Sequence, residues 1–431
     1  MQMKKKRYIS RIGMFKTFKY KLMLEAALVG LITGAFVVVF RLGVEKISSV
    51  TGFLYNHAFE KFIFIPLWGS ILIFLALAVT FLVKKEPLIS GSGIPQVEAE
   101  LRGELETKWY RVLALKFIGC VLSLGAGLSL GREGPSVQLG AMTGKGFGKL
   151  LKKSRTETRF LMTCGAGAGL TAAFNAPLAG AVFCLEEMNK AFTEKTLLTA
   201  MAATISSDFV ASYIFGLKPI FTLKVGAAMP LKYYYLIALL GLCLGIMGRV
   251  FTKALELFQN FFSQKKVKDV APFAGFIFVF FLSLFYPLAV GGGTHLVEMA
   301  AAGKMALSAL GVLFVVKFLF FLVCFGSRAP GGIFMPMLVF GAVLGSIFGT
   351  FTGDLLGVGN IYIETFVIAG MAGYFAAIVR SPVTGIVLIS EMTGSLSHLL
   401  PLALCSLCAY FAADLCGSRP VYDQLRQRLI H

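Results

Sequence analysis

The sequence predicts an all-α polytopic membrane protein, built as an inverted-topology internal repeat whose helices break into halves near the bilayer midplane. Three observations predict it. Apolar windows long enough to cross a bilayer recur along the whole 431-residue chain. Blocks of sequence reappear, in order, about 200 residues apart. Glycine- and proline-rich loops interrupt the apolar runs, and charges stand in some of them.

The apolar windows come first. They cover roughly 22–41, 62–83, 111–130, 160–185, 231–250, 271–290, 306–325 and 365–390. Hydrophobic residues make up 57% of the chain and charged residues 15%, against roughly a quarter charged in a soluble domain. Mean hydropathy is +0.79. The first window contains Glu25 and lacks a small-residue cleavage pattern, so it is not a signal peptide. The net charge of +19 lies in short loops beside apolar segments, a topology signal rather than a nucleic-acid footprint. Eight basic residues fall within 1–21 and six within 145–159, which places both stretches, and the N-terminus, in the cytoplasm. Cys405 and Cys408 form a CxxC in an apolar stretch without companion ligands; neither a metal nor a disulfide is expected.

The repeat comes second. Counted from Lys116-Phe117 and Lys317-Phe318, Gly125 meets Gly326, Pro135 meets Pro336, and Gly140, Gly144 and Gly148 meet Gly341, Gly345 and Gly349, all 201 residues apart. Upstream, "SGSGIPQVE" (90–98) matches "VGGGTHLVE" (290–298) at an offset of 200. Downstream, the block from Gly165 matches the block from Gly370 at an offset of 205, pairing Pro177 with Pro382 and Glu186 with Glu391. The organisation read from this is a basic segment 1–24, a first repeat 25–215, a second repeat 231–416, and a short C-terminal helix and tail 417–431 that carries Tyr422. The stretch 145–159 is basic, whereas 350–364 carries Asp354 and Glu364 and no Lys or Arg. Those two loops belong on opposite sides of the membrane, so the second copy is inverted. Inverted repeats with broken helices are a transporter architecture.

The loops come third. Three share one design: Gly91-Ser92-Gly93-Ile94-Pro95, Gly131-Arg132-Glu133-Gly134-Pro135, and Gly331-Gly332-Ile333-Phe334-Met335-Pro336. Glycines permit a sharp turn and close backbone approach. A proline suits the first turn of the helix that follows. Each loop therefore presents free amides and a positive dipole end inside the membrane, where anions bind. A cation pathway would show carbonyls or acidic rings instead. Within this setting Glu133 stands out, because a carboxylate at the bilayer centre costs about 2.5–3.5 kcal/mol on insertion scales. Its neighbour Arg132 is badly placed to pair with it, since adjacent helical residues do not face each other.

Taken together, in order, these three loops resemble the selectivity-filter segments of the CLC chloride channel and transporter family, in particular its prokaryotic chloride/proton antiporters. The likeness runs from about residue 25 to Tyr422. It implies a chloride ion held by the Ser92 hydroxyl, the Tyr422 hydroxyl and the backbone amides of Ile333 and Phe334. It implies that Glu133 is the external gate, a carboxylate that occupies an anion site until protonation releases it. It also implies a homodimer with one pathway per subunit, chloride and protons as the transported species, the inner membrane of a prokaryote as the location, and no cofactor.

The family holds both passive channels and proton-coupled exchangers. In its exchangers a second glutamate accepts protons from the cytoplasm, and the matching position here is Glu187 in "CLEEMNKAF". Glu186 has a repeat partner in Glu391, whereas Glu187 aligns with Met392. The expectation is therefore a chloride/proton antiporter in which Glu186 serves the scaffold; a passive anion channel is the alternative. A solvated Glu187 near Lys190 is the plainer reading of that carboxylate. Ser92 goes with chloride preference in the family. Met335 and Gln96 depart from its usual residues at those positions. Nine residues follow Tyr422, so no C-terminal regulatory domain is expected. An intramembrane enzyme is the remote alternative: the four histidines show no metal-ligand spacing, and no Gly-x-Ser-x-Gly elbow is present.

Overall fold

A chain in hydrocarbon must satisfy its backbone polar groups internally, and helices do this segment by segment. The computed structural model describes residues 2–57, 63–223, 229–264, 267, 270–357 and 359–430, with the backbone alone for 2–19 and 359–360. Its regular structure is helical throughout the described residues. The first half holds α1 (Gln2–Asn56), α2 (Phe64–Lys85), α3 (Ile94–Arg102), α4 (Trp109–Gly125), α5 (Glu133–Leu150), α6 (Arg155–Phe174), α7 (Pro177–Phe183) and α8 (Glu194–Phe215). The second holds α9 (Tyr234–Phe262), α10 (Ala271–Phe285), α11 (Thr294–Ala301), α12 (Leu307–Gly326), α13 (Phe334–Leu356), α14 (Ile363–Val379), α15 (Pro382–Thr393) and α16 (Leu399–Leu415), followed by α17 (Val421–Ile430). Even the short 3-10 turns Pro87–Ile89 and Pro287–Ala289 sit at equivalent places before α3 and α11.

Two windows that read as single spans are each two helices. The run 160–185 breaks at Asn175 and Ala176, and 365–390 breaks at Arg380 and Ser381. The cause is proline. Pro177 and Pro382 have no amide for the preceding turn, and they push the residue before them out of helical geometry. The chain turns through left-handed residues, Asn175 at φ 52° and Arg380 at φ 73°. Helices α8, α13 and α16 lie largely or wholly outside the eight apolar windows. Of these, α8 (mean hydropathy 1.3) and α13 (1.8) are nonetheless apolar and long enough to span a bilayer.

The two halves embrace about a local two-fold axis, which is visible because equivalent residues exchange contacts. Gly131 and its counterpart Gly332 donate backbone hydrogen bonds to each other, at 2.7 and 2.6 Å, as an antiparallel bridge. Glu186 accepts from the amides of Val383 (3.1 Å) and Thr384 (2.6 Å) at the start of α15. Its counterpart Glu391 accepts from Leu178 (3.0 Å) and Ala179 (2.7 Å) at the start of α7. Each glutamate thus caps the half-helix of the other repeat, where orphan amides and the dipole favour a carboxylate.

Lipid tails give no hydrophobic drive for helices to associate, so close backbone packing must supply the attraction. The repeat glycines do this. A β-carbon at Gly140 would strike the backbone of Gly165 across the α5–α6 contact, and one at Gly341 would lie 2.5 Å from the Gly370 carbonyl oxygen across α13–α14. These tight pairs hold α5 and α13 so that their N-termini meet at the centre of the molecule.

Candidate functional site

The three glycine loops are woven into one another by backbone hydrogen bonds. Gly91 N–H donates to Ala329 (3.3 Å), Gly331 to Gly91 (3.1 Å), and Gly131 and Gly332 exchange their pair. Two fully buried lysines pin the outer strands of this weave. Lys116 Nζ donates to the carbonyls of Ile89 (2.9 Å) and Gly91 (2.7 Å). Its repeat counterpart Lys317 donates to Ala289 (2.7 Å) and Gly291. The lysines satisfy carbonyls that the broken backbone leaves unpaired, and the arrangement aims the N-termini of α3, α5 and α13 at one region.

Glycine is required at two points of this weave. Gly93 caps α3 at φ 99°, where a β-carbon would lie 2.5 Å from Gln138 Oε1. At Gly134 a β-carbon would collide with Ser92 Oγ and lie 3.3 Å from Gly332 Cα. The Ser92 hydroxyl is thereby pressed against the first turn of α5. Ser92 Oγ, Tyr422 Oη and Glu133 Oε2 are all buried and have no hydrogen-bond partner. An unpaired buried polar atom costs about 1–3 kcal/mol; of the two hydroxyls, that of Ser92 stands against the first turn of α5, and Tyr422 is the second residue of α17. The Ile333 and Phe334 backbone lies at the N-terminus of α13, in the turn whose amides have no intrahelical partner.

Glu133 is the first residue of α5 and is 2% exposed. Its carboxylate lies against its own amide and that of Met335 at the start of α13. Arg132 does not pair with it: the guanidinium turns away to Glu45, at 3.0 Å. Glu133, Arg132 and Met335 line a cleft of 620 Å³. Ser92 and Gln96 line a separate cleft of 430 Å³, together with Arg328, Leu425 and Arg428. The second cleft is on the side of the basic loops, because α17 is tied there: Arg426 of α17 holds Glu104 at 2.5 Å, and Glu104 shares a pocket with Lys149 and Arg155. Two clefts therefore approach the woven loops, with Glu133 facing one and Ser92 facing the other.

Glu187 lies apart from this centre. The helix after Pro177 widens into a single π turn, Cys184–Met188, and that turn points Glu186 and Glu187 at different partners. π turns of this kind recur at functional sites. Glu187 is 3% exposed, so the reading of a solvated surface carboxylate fails. Lys190, its expected surface partner, instead pairs with Asp423 at 2.8 Å. Ser381 Oγ donates to Glu187 Oε2, while Oε1 is buried without a partner. The Glu98 carboxyl interacts with Glu187, and Tyr422 senses the charges of Glu187, Glu98 and Glu133 alike. Burial pushes the Asp423 carboxyl up, but the Lys190 hydrogen bond and the charges of Lys190, Arg102 and Arg426 outweigh this and hold it below the usual aspartate range.

Sequence reasoning passed over Ser381, Gln138 and the contact of Glu98 with Glu187. It used Lys116 and Lys317 only to align the repeats. A lysine at equivalent positions of two apolar helices is itself a signal, because a buried ammonium must have partners.

Residues 74–414 match the family described as Voltage gated chloride channel. The chain is 39% identical over 421 residues to the H(+)/Cl(-) exchange transporter ClcA of Vibrio vulnificus, covering 94% of this chain and 89% of that protein. It is 36% identical over 443 residues to the ClcA of Salmonella arizonae, covering 100% and 93%. Among solved structures, a slow cyanobacterial Cl-/H+ antiporter matches with a TM-score of 0.90 at 31% identity, over 95% of this chain and 98% of that one. A eukaryotic CLC transporter shares the fold at a TM-score of 0.76 and 21% identity, over 95% of this chain and 74% of that one. With its paired half-helices and woven glycine loops, the chain is an integral membrane protein that belongs to the voltage gated chloride channel family, the CLC channels and transporters.

Proposed function

We propose that the protein exchanges chloride for protons across the inner membrane of a prokaryote, as a homodimer with one pathway per subunit and with its N-terminus in the cytoplasm. The observation that carries this reading is the placement of Glu133. It is a lone carboxylate on the first turn of α5, against the N-terminus of α13, in the position an anion would take. Chloride is held by Ser92, Tyr422 and the amides of Ile333 and Phe334. Glu133 competes with chloride as a covalently tethered anion; a proton removes its charge and its claim on the helix N-termini.

Exchange needs a proton route distinct from the chloride route. Glu187 supplies its cytoplasmic end. Ser381 fixes one carboxylate oxygen, and the buried Glu98 carboxyl interacts with Glu187, an arrangement in which a proton can be held between the two acids. The names of the Vibrio and Salmonella relatives support antiport over a passive channel. The repeats 25–215 and 231–416 form the transport unit, and 417–431 contributes Tyr422. The test is purified protein in liposomes under an imposed chloride gradient, with external pH recorded. Uphill proton movement supports the exchanger; chloride flux without any pH change leaves only the channel.

A further inference from the structure

On the basic side, away from the chloride loops, the end of α5 and the start of α6 frame a pocket of 460 Å³ against the turn after α3. Most of its charges are already matched. Lys145 pairs with Glu100, Lys153 with Glu25 at 2.6 Å, and Glu104 with Arg426. Lys149, Arg155 and Arg159 are different: among the described residues none of them has an ion-pair partner, and Glu106 is the one unmatched carboxylate in the lining. Both guanidinium groups reach over Gly103. A β-carbon at Gly103 would lie 2.6 Å from Arg159 Nη2 and 3.2 Å from Arg155 Nη2. Two like charges converging on one point repel, and an exposed arginine has ample freedom to swing away. Residues four apart on one helix face form a fork suited to an oxyanion with several acceptor oxygens.

We propose that Arg155 and Arg159, with Lys149 and the Thr158 hydroxyl at the wall, form a binding site for a phosphate group, and that its occupant is the headgroup phosphate of an anionic phospholipid. The fork fits phosphate because two guanidinium groups can each bond it bidentately. The lipid source follows from the neighbours of Lys149. Leu150, the last residue of α5, and Leu151, which follows it, are 73% and 52% exposed. A lipid would set its phosphate in the fork and lay its chains over these leucines. Basic pockets at the cytoplasmic ends of membrane helices bind headgroups in this way. The site is independent of chloride–proton exchange and lies outside the residues assigned to it.

The test uses the full-length protein in detergent, titrated with phosphatidylglycerol, phosphatidylcholine or soluble pyrophosphate and read by native mass spectrometry. The wild type should retain phosphatidylglycerol over phosphatidylcholine. Arg155→Ala/Arg159→Ala should lose that retention by at least about tenfold, the effect of removing two charge-assisted contacts. Arg155→Lys/Arg159→Lys should recover part of it, since charge returns without the fork. Pyrophosphate that binds the wild type and displaces the lipid would keep the phosphate site but make a soluble phosphate its occupant. A control, Lys108→Gln/Lys152→Asn, removes two exposed charges that do not line the pocket. Equal losses from control and double variant would mean diffuse surface charge and overturn the site, as would unchanged retention in Arg155→Ala/Arg159→Ala.

Discussion

Glu186→Gln should weaken the fold and leave proton coupling intact. The carboxylate takes three donors at the start of α15: Val383 N–H at 3.1 Å, Thr384 N–H at 2.6 Å and Thr384 Oγ1 at 2.7 Å. Both Thr384 bonds go to one oxygen, so a glutamine can keep them with its carbonyl. Its amide group would then face the Val383 N–H, donor against donor. One charge-assisted bond is lost, at about 1.5–3 kcal/mol, and up to about 1 kcal/mol of dipole interaction goes with it. A total near 3 kcal/mol follows. Glu391→Gln should cost about the same, because that carboxylate accepts from Leu178 and Ala179 through separate oxygens and a glutamine can keep only one of these. Thermal denaturation in detergent, followed by size-exclusion chromatography, should show a midpoint a few degrees lower for each variant. Liposome assays on the surviving protein should show normal proton movement per chloride. A Glu186→Gln protein as stable as the wild type but uncoupled would refute the capping role and move the proton function one residue upstream.

Three further outcomes are expected. Glu187→Gln should abolish proton movement while chloride flux persists, measured as parallel chloride efflux and external pH; retained uphill proton movement would remove Glu187 from the route. Ser92→Ala and Tyr422→Ala should each weaken chloride binding by about 1.5–3 kcal/mol, one charge-assisted bond, with calorimetric affinities as the check. Asp423→Asn should destabilise α17 by at most about 1 kcal/mol, because the ion pairs are partly exposed. The folded Asp423 has a lowered pKa, so its contribution is complete above the ordinary carboxylate value and disappears as pH falls through the folded one. The stability gap between wild type and Asp423→Asn at pH 7 should therefore close as the pH is taken below about 4.

The duplication and the three loops were readable because glycine and proline carry backbone instructions wherever they stand. Gly131 and Gly332 could be matched by counting, and they turned out to bond to each other. The interruptions at Asn175 and Arg380 were hidden inside apolar windows, since hydropathy averages over a break that one proline creates. The reciprocal caps were half visible: the Glu186–Glu391 pairing showed a shared duty, but not that each serves the other's repeat. The surroundings of Glu187 were not readable at all. Ser381 is 194 residues away and Glu98 is 89 residues away in sequence. The crossing of the two halves brings Ser381 to Glu187, and the packing of the first half brings Glu98, while the π turn that aims the side chain has no sequence signature comparable to a proline.

The most direct test of the account is proton movement through Glu133→Gln compared with wild type, in liposomes under one imposed chloride gradient with voltage set by a potassium ionophore. The account predicts that wild-type protein drives protons uphill, and that Glu133→Gln passes chloride with no accompanying pH change. Wild-type chloride flux with no proton movement, or a Glu133→Gln variant that still pumps protons, would contradict it.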